Sequence, residues 1–283
     1  MKKLFKALGI TSLYFLLYVG IQFMVSIIFV IIVSMQLAIK MMVESGDMDS
    51  NLLTQQATDQ TLKYAMLMII IGGILFLLAL WLVFFVRKKN YFQGISLKKI
   101  QIKSIVPLIF IGVSFNLVIS GVMALIPFPK SWLDSYMESY SATESGNVVI
   151  AIIATVLMAP IVEEVIFRGL IYARLKRGMP IAFAAVISSV IFGLMHGNLI
   201  WGSYAFVLGL VLVWTFERFK SITANILVHF SFNLAGVLLG YVTEIPDVLG
   251  WIILGVSACV LVLSVIWIKN ITKNGYNVKV IKC

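Results

Sequence analysis

Three short patterns in this chain bring together side chains able to move protons and hold charge. Glu163, Glu164 and Arg168 stand in Ala159-Pro160-Ile161-Val162-Glu163-Glu164-Val165-Ile166-Phe167-Arg168-Gly169. Phe192 and His196 stand in Ser188-Ser189-Val190-Ile191-Phe192-Gly193-Leu194-Met195-His196, and Asn225, His229 and Asn233 in Asn225-Ile226-Leu227-Val228-His229-Phe230-Ser231-Phe232-Asn233. His196 and His229 are the chain's two histidines. A carboxylate can take a proton from water, an imidazole can give or accept one, and an amide N–H can steady a developing oxyanion.

The spacings refine that inventory. Arg168 follows Glu164 by four positions, so on a helix the two share a face and can pair. That pairing neutralises one carboxylate and leaves Glu163, rotated by about 100°, as the candidate general base. Phe192 and His196 are also four apart. Asn225, His229 and Asn233 form a stripe down one side of their helix, which belongs inside a bundle rather than against lipid. Asn225 reads as a helix-to-helix hydrogen bond, whereas Asn233, beside His229, is placed to offer neutral donors.

The elements that must position these groups are membrane helices. Of 283 residues, 61% are hydrophobic and 12% charged, against roughly 25% charged in soluble domains. Apolar runs fall at Leu8–Ile39, Tyr64–Val86, Ile105–Ile126, Val148–Tyr172, Pro180–Met195, Leu199–Phe216, Ile222–Val242 and Leu249–Ile268. A spanning helix needs about 20 such residues, and helix is the expected form because backbone groups in hydrocarbon must pair within their own segment. The expected fold is an all-α polytopic bundle of about eight transmembrane helices.

Charge sorts with that count. If the amino terminus is cytoplasmic, eighteen of the 22 basic residues fall in inner segments, while Lys40, Lys63 and Lys130 fall outside and Arg168 lies in the membrane. Nine of the 12 acidic residues lie in outer segments. Both termini are therefore expected on the cytoplasmic side. The net charge of +10 needs no nucleic-acid partner, since inner loops facing anionic headgroups account for it. The outer stretch from Met41 to Lys63 reads as a polar, acidic, mobile loop.

Cys259 and Cys283 exclude a disulfide framework and a metal-type cysteine pair. Cys283 is last in the chain, not fourth from the end as in a prenylation box. The run from Leu8 is too long for a signal-peptide core of roughly 7 to 15 residues and reads as an uncleaved first helix. One integral membrane domain over 1–283 is expected: helices and loops in 1–147, the three patterns in 148–242, a last helix and basic tail in 243–283.

Acidic residues and histidines inside spans are costly, about 2.5 to 3.5 kcal/mol each for charged groups on an insertion scale, and mark function. Taken together, Glu163, Glu164 and Arg168, then Phe192 and His196, then His229 and Asn233 resemble the CPBP family of intramembrane proteases, also called the CAAX protease and bacteriocin-processing or Abi family. Its marks are Glu-Glu-x-x-x-Arg, Phe-x-x-x-His and His-x-x-x-Asn on membrane helices, and every position is matched. The likeness covers roughly Val148 to Gly240; the first three spans match only as generic membrane helices.

The resemblance implies a glutamate-dependent endopeptidase of the bacterial plasma membrane, acting on a membrane-associated protein or peptide. It implies that Glu163 and His196 activate a water, that His229 and Asn233 hold the oxyanion, and that Glu164, Arg168 and Phe192 support the site. No cofactor is expected. The mechanistic alternative is zinc on Glu163, His196 and His229, a two-histidine, one-carboxylate set; the nearby arginine opposes a second cation and favours a metal-free site. Two other classes remain in play: a non-enzymatic bacteriocin-immunity or scaffold protein of the same fold, and an ion-coupled transporter, which the absence of inverted repeats argues against.

One spatial expectation follows. The site is expected to open to the cytoplasm, yet His196 lies ~24 Å from Pro180 along a helix rising about 1.5 Å per residue. That run must begin outside the hydrocarbon, tilt, or break at Gly197.

Overall fold

In the computed structural model, which describes residues 2–242 and 244–273, the apolar runs become helices. These are α1 (Lys2–Ser45), α2 (Ser50–Lys63), α3 (Ala65–Val86), α4 (Tyr91–Gly94), α5 (Ile105–Ala124) and α6 (Lys130–Glu144). There follow α7 (Val148–Leu175), α8 (Ile181–Leu194), α9 (Leu199–Phe219), α10 (Ile222–Gly240) and α11 (Asp247–Thr272). Among the described residues, seven helices are long and apolar enough to cross a membrane, and α8 is a shorter apolar helix of 14 residues. The chain is an all-α polytopic membrane bundle. Lys279, Lys282 and Cys283 of the expected basic tail lie outside the described residues.

The fifth apolar run makes a short helix for a visible reason. After Leu194 the chain turns through Gly197, whose φ of +69° favours a residue without a Cβ. Asn198 then starts α9, its side-chain Oδ1 accepting from the N–H groups of Ile200 and Trp201. The break anticipated at Gly197 is the one the chain uses.

The stretch expected to be a mobile loop is helical. At 44 residues, α1 is about 66 Å long, well past the ~30 Å of hydrocarbon, so its far half has no lipid requirement for a partner but still needs apolar cover. Helix α2 folds back along it, started by Asp49, whose carboxylate accepts from Asn51 and Leu52 N–H. Polarity alone misled here, because a capped, half-polar helix lying on an apolar one is as favourable as a loop.

At the lysine-rich end, the segment between α3 and α5 folds into the bundle rather than away from it. Tyr91 meets Phe84 edge-on at 5.8 Å, and burial pushes its phenol up to about 12. Ile95 is buried, Ile222 N–H donates to Ser96 O at 3.0 Å, and Ser221 Oγ donates to Lys98 O at 2.7 Å. A Cβ at Gly169 would stand 2.7 Å from Ile95 O, so glycine is what lets this segment lie against α7. The same end is tied by Lys176 and Lys220, both paired with Glu217.

Candidate active site

The site is built around α7, which is not a uniform α-helix. Residues Ile153–Met158 and Glu164–Tyr172 wind as π-helix, the wide form that recurs at functional positions. Ala159 N–H donates to Ala154 O, five residues back. The next residue in that register is Pro160, which has no N–H, so the helix itself offers no donor to Thr155 O. Asn233 supplies one: its Nδ2 donates to Thr155 O at 2.7 Å from α10. A buried carbonyl in lipid must be satisfied, and this cross-helix bond satisfies it.

The second π segment begins at Glu164. Its carboxylate is fully buried and its Oε1 accepts from Arg168 Nη1 at 2.7 Å. Arg168, also buried, donates through Nη2 to Gly209 O at 3.2 Å. Its guanidinium lies over the Phe192 ring, 4.5 Å from the centroid, where the ring's negative face adds to the cation's stabilisation. The expected Glu164–Arg168 pair is present, held within α7 and between α8 and α9.

His229 joins the two carboxylates. Its Nδ1 is 3.0 Å from Glu164 Oε1, and its Nε2 is 3.7 Å from Glu163 Oε2. Glu164 Oε1 accepts from Arg168 as well, so Nδ1–H is the assigned donor to it. That leaves Nε2 toward Glu163, whose side chain retains 18% exposure where its neighbour has none. Adjacent glutamates thus address opposite nitrogens of one ring.

Phe192 is the hub between the patterns. Its ring meets His196 at 5.0 Å, His229 at 5.8 Å and Phe167 at 5.0 Å, all edge-on. His196 is half-buried. Its Nδ1 is 2.9 Å from Phe192 O, one turn back in α8, and its ring lies 6.0 Å from Trp201. Among the described residues, no hydrogen bond joins His196 to Glu163 or Asn233 to His229. Asn225 makes the interhelical bond expected of it, Nδ2 donating to Leu212 O at 2.6 Å.

Asn198, two residues after His196, donates from Nδ2 to Ser135 Oγ of α6 at 2.9 Å, and Trp201 meets Tyr136 of the same helix at 6.5 Å. Helix α6 links the ends of α5 and α7 opposite the lysine-rich end. His196 therefore lies at the α6 end of the bundle, because α8 ends there.

Glu163 borders a feature that the motifs did not announce. A cavity of about 20 Å³ lies between α1, α3 and α7, lined by Tyr18, Gln22, Ile69, Met158, Ala159, Val162 and Glu163. Gln22 was visible as one of two amides in the first apolar run, but nothing in a single helix says what it faces. Among the described residues, no three His, Cys, Asp or Glu side chains gather as a metal site, and His196 turns one ring nitrogen to its own helix.

Comparison with known proteins now locates this site in sequence space. Residues 145–235 match the family described as type II CAAX prenyl endopeptidase, Rce1-like. An 82-residue stretch, 29% of the chain, is 35% identical to YdiL of Bacillus subtilis (strain 168), a provisional membrane peptidase by name, and covers 34% of that protein. Another 83 residues, also 29% of the chain, are 31% identical to the UPF0177 protein YbdI of Lactococcus lactis subsp. lactis (strain IL1403), covering 44% of it. The matched part thus spans between a third and a half of these relatives' length. No solved structure matches the chain.

The protein is a multi-pass membrane protein of bacterial type whose polar residues converge inside the bundle. Its residues 145–235, which carry all three motifs, are similar to the type II CAAX prenyl endopeptidase, Rce1-like family.

Proposed function

We propose that this chain is an intramembrane endopeptidase that hydrolyses a peptide bond of a membrane-associated protein or peptide. The observation that carries the proposal is the His229 imidazole held between Glu164 and Glu163, at 3.0 and 3.7 Å, inside the bundle. A carboxylate that orients an imidazole from one nitrogen frees the other for chemistry. Glu163, the more accessible glutamate, takes a proton from water as the oxygen attacks the scissile carbonyl, and returns it to the leaving amine. His229 and His196 act on the negative oxygen that develops in their protonated form, each offering Nε2–H, because Nδ1 is engaged by Glu164 Oε1 in one and by Phe192 O in the other.

Asn233 spends an amide hydrogen on Thr155 O, so it is assigned to setting α7 against α10 rather than to the oxyanion. Glu164 and Arg168 are more than scaffolding, because Glu164 fixes the ring of His229. The chemistry is proposed to run without a metal, through these side chains alone.

The test is cleavage of internally quenched peptides by the purified full chain in liposomes. Two peptides are used, one with a farnesylated cysteine near its carboxyl end and one unmodified. Wild type is expected to cleave at least one, Glu163→Ala and His229→Ala neither, and a chelator such as 1,10-phenanthroline is expected to leave the rate unchanged. Equal cleavage by wild type and Glu163→Ala would remove the reading.

A further inference from the structure

The mechanism needs a water beside Glu163 in a region that otherwise excludes it. The cavity on Glu163 measures about 20 Å³, and a site needs at least ~10 to 15 Å³, with two to four polar partners, to hold one water. Three polar side chains reach this cavity: the Tyr18 phenol and the Gln22 amide from α1, and the Glu163 carboxylate from α7. The remaining walls, Ile69, Met158, Ala159 and Val162, are apolar and offer a water nothing else.

The surrounding helices are shaped to keep this space. Gly72 leaves room for Gln22, since a Cβ there would collide with the Gln22 carbonyl oxygen. Gly73 lies beside α7, where a Cβ would stand 3.0 Å from Met158 and from Val162. Tyr18 is braced from the other side by Phe76, edge-on at 5.3 Å. Two consecutive glycines in the middle of α3 weaken that helix by up to about 1 kcal/mol each relative to alanine. Here they let the amide of α1 and the carboxylate of α7 share one small space.

We propose that Tyr18 and Gln22 are positioning residues that hold a single water against Glu163, and that this water is the nucleophile of the hydrolysis. The inference rests on the endopeptidase reading and adds to it a fourth helix, α1, which none of the three motifs includes. The water donates one hydrogen to Glu163 and is steadied by the Tyr18 hydroxyl and the Gln22 amide. As its oxygen bonds to the carbonyl carbon, that proton passes to Glu163. When the carbon–nitrogen bond breaks, the proton passes to the departing amine, giving a carboxylic acid and an amine.

The test pairs a high-resolution crystal structure of the full chain in lipidic mesophase with kinetics on whichever quenched peptide wild type cleaves. Wild type is expected to show one ordered water in contact with Tyr18, Gln22 and Glu163, and Gln22→Leu to lack it. Tyr18→Phe and Gln22→Leu are each expected to lower kcat by about 10- to 100-fold with KM unchanged, as misplacing a reacting group does, and Gln22→Glu to recover part of the loss. An empty cavity in wild type overturns the inference, as does an unchanged kcat in both variants. Glu163→Ala separates the levels: if it is inactive while Tyr18→Phe and Gln22→Leu match wild type, only the water inference fails. If it cleaves normally, the endopeptidase reading itself fails.

Discussion

Glu164 Oε1 accepts from His229 Nδ1 at 3.0 Å and from Arg168 Nη1 at 2.7 Å, so one buried oxygen carries both the cation of its own helix and the imidazole of α10. The charge of Arg168 is balanced and the orientation of His229 is set by the same atom. Glu163, one residue earlier, is left for a different task.

Glu164 and Glu163 are therefore expected to separate when each is neutralised. Glu164→Gln leaves Arg168 buried without its counter-charge, and breaking a buried pair in this way costs about 3 to 5 kcal/mol. Glu163→Gln keeps the Arg168 pair and is expected to cost less than ~1 kcal/mol while abolishing peptide cleavage. Thermal unfolding in detergent, read beside the quenched-peptide assay, checks both. A Glu164→Gln protein as stable as wild type contradicts the role assigned to that oxygen.

The bond from Asn233 to Thr155 O predicts a coupling with Pro160. Asn233→Ala is expected to lower stability by roughly 0.6 to 1.7 kcal/mol, the range of measured interhelical hydrogen bonds in membranes. Pro160→Ala restores a backbone N–H, so in that background Asn233→Ala should cost measurably less. A double-mutant cycle by unfolding in mixed micelles gives the coupling directly. Strict additivity would mean that the proline does not leave the carbonyl in need of a partner.

Close packing behind His229 predicts an effect without any polar change. A Cβ at Gly112 of α5 would collide with Val228 O and stand 2.7 Å from Ser231 Cβ, on either side of His229 in α10. Overpacking costs typically 1 to 3 kcal/mol, and Gly112→Ala is expected to lose about that much and to slow cleavage by displacing the imidazole. Gly9→Ala, with nothing within 4 Å of the added atom, is the control and should leave both readouts near wild type.

The position of α8 predicts the side from which its end is reached. In a chain with Cys259→Ser and Cys283→Ser, a cysteine at His196 is expected to react with a membrane-impermeant maleimide added outside intact cells. A cysteine at Lys220, at the opposite end, should react only after the cells are opened. The reverse pattern would invert the assigned orientation.

Much of this protein was settled by residue order alone. Uncompensated apolar length can be met only by lipid, the sorting of lysines from acidic residues favours one orientation, and a four-residue spacing on a helix obliges Glu164 to lie beside Arg168. These are local or compositional rules, and each can be applied without knowing which helix touches which. The same rules misjudged the stretch after Met41, because whether a polar segment orders itself depends on the apolar surface it can cover, here α1. They also left His196 paired in expectation with Glu163. In the fold, α8 ends at Leu194 before the turn at Gly197, and His229 lies beside that carboxylate. The cavity where Tyr18 and Gln22 meet Glu163 belongs to three helices at once, and the donor for Thr155 O comes from a residue 78 positions away. No spacing rule reaches across helices: which groups share a pocket follows from packing, in which every helix must satisfy its buried polar atoms with whatever its neighbours present.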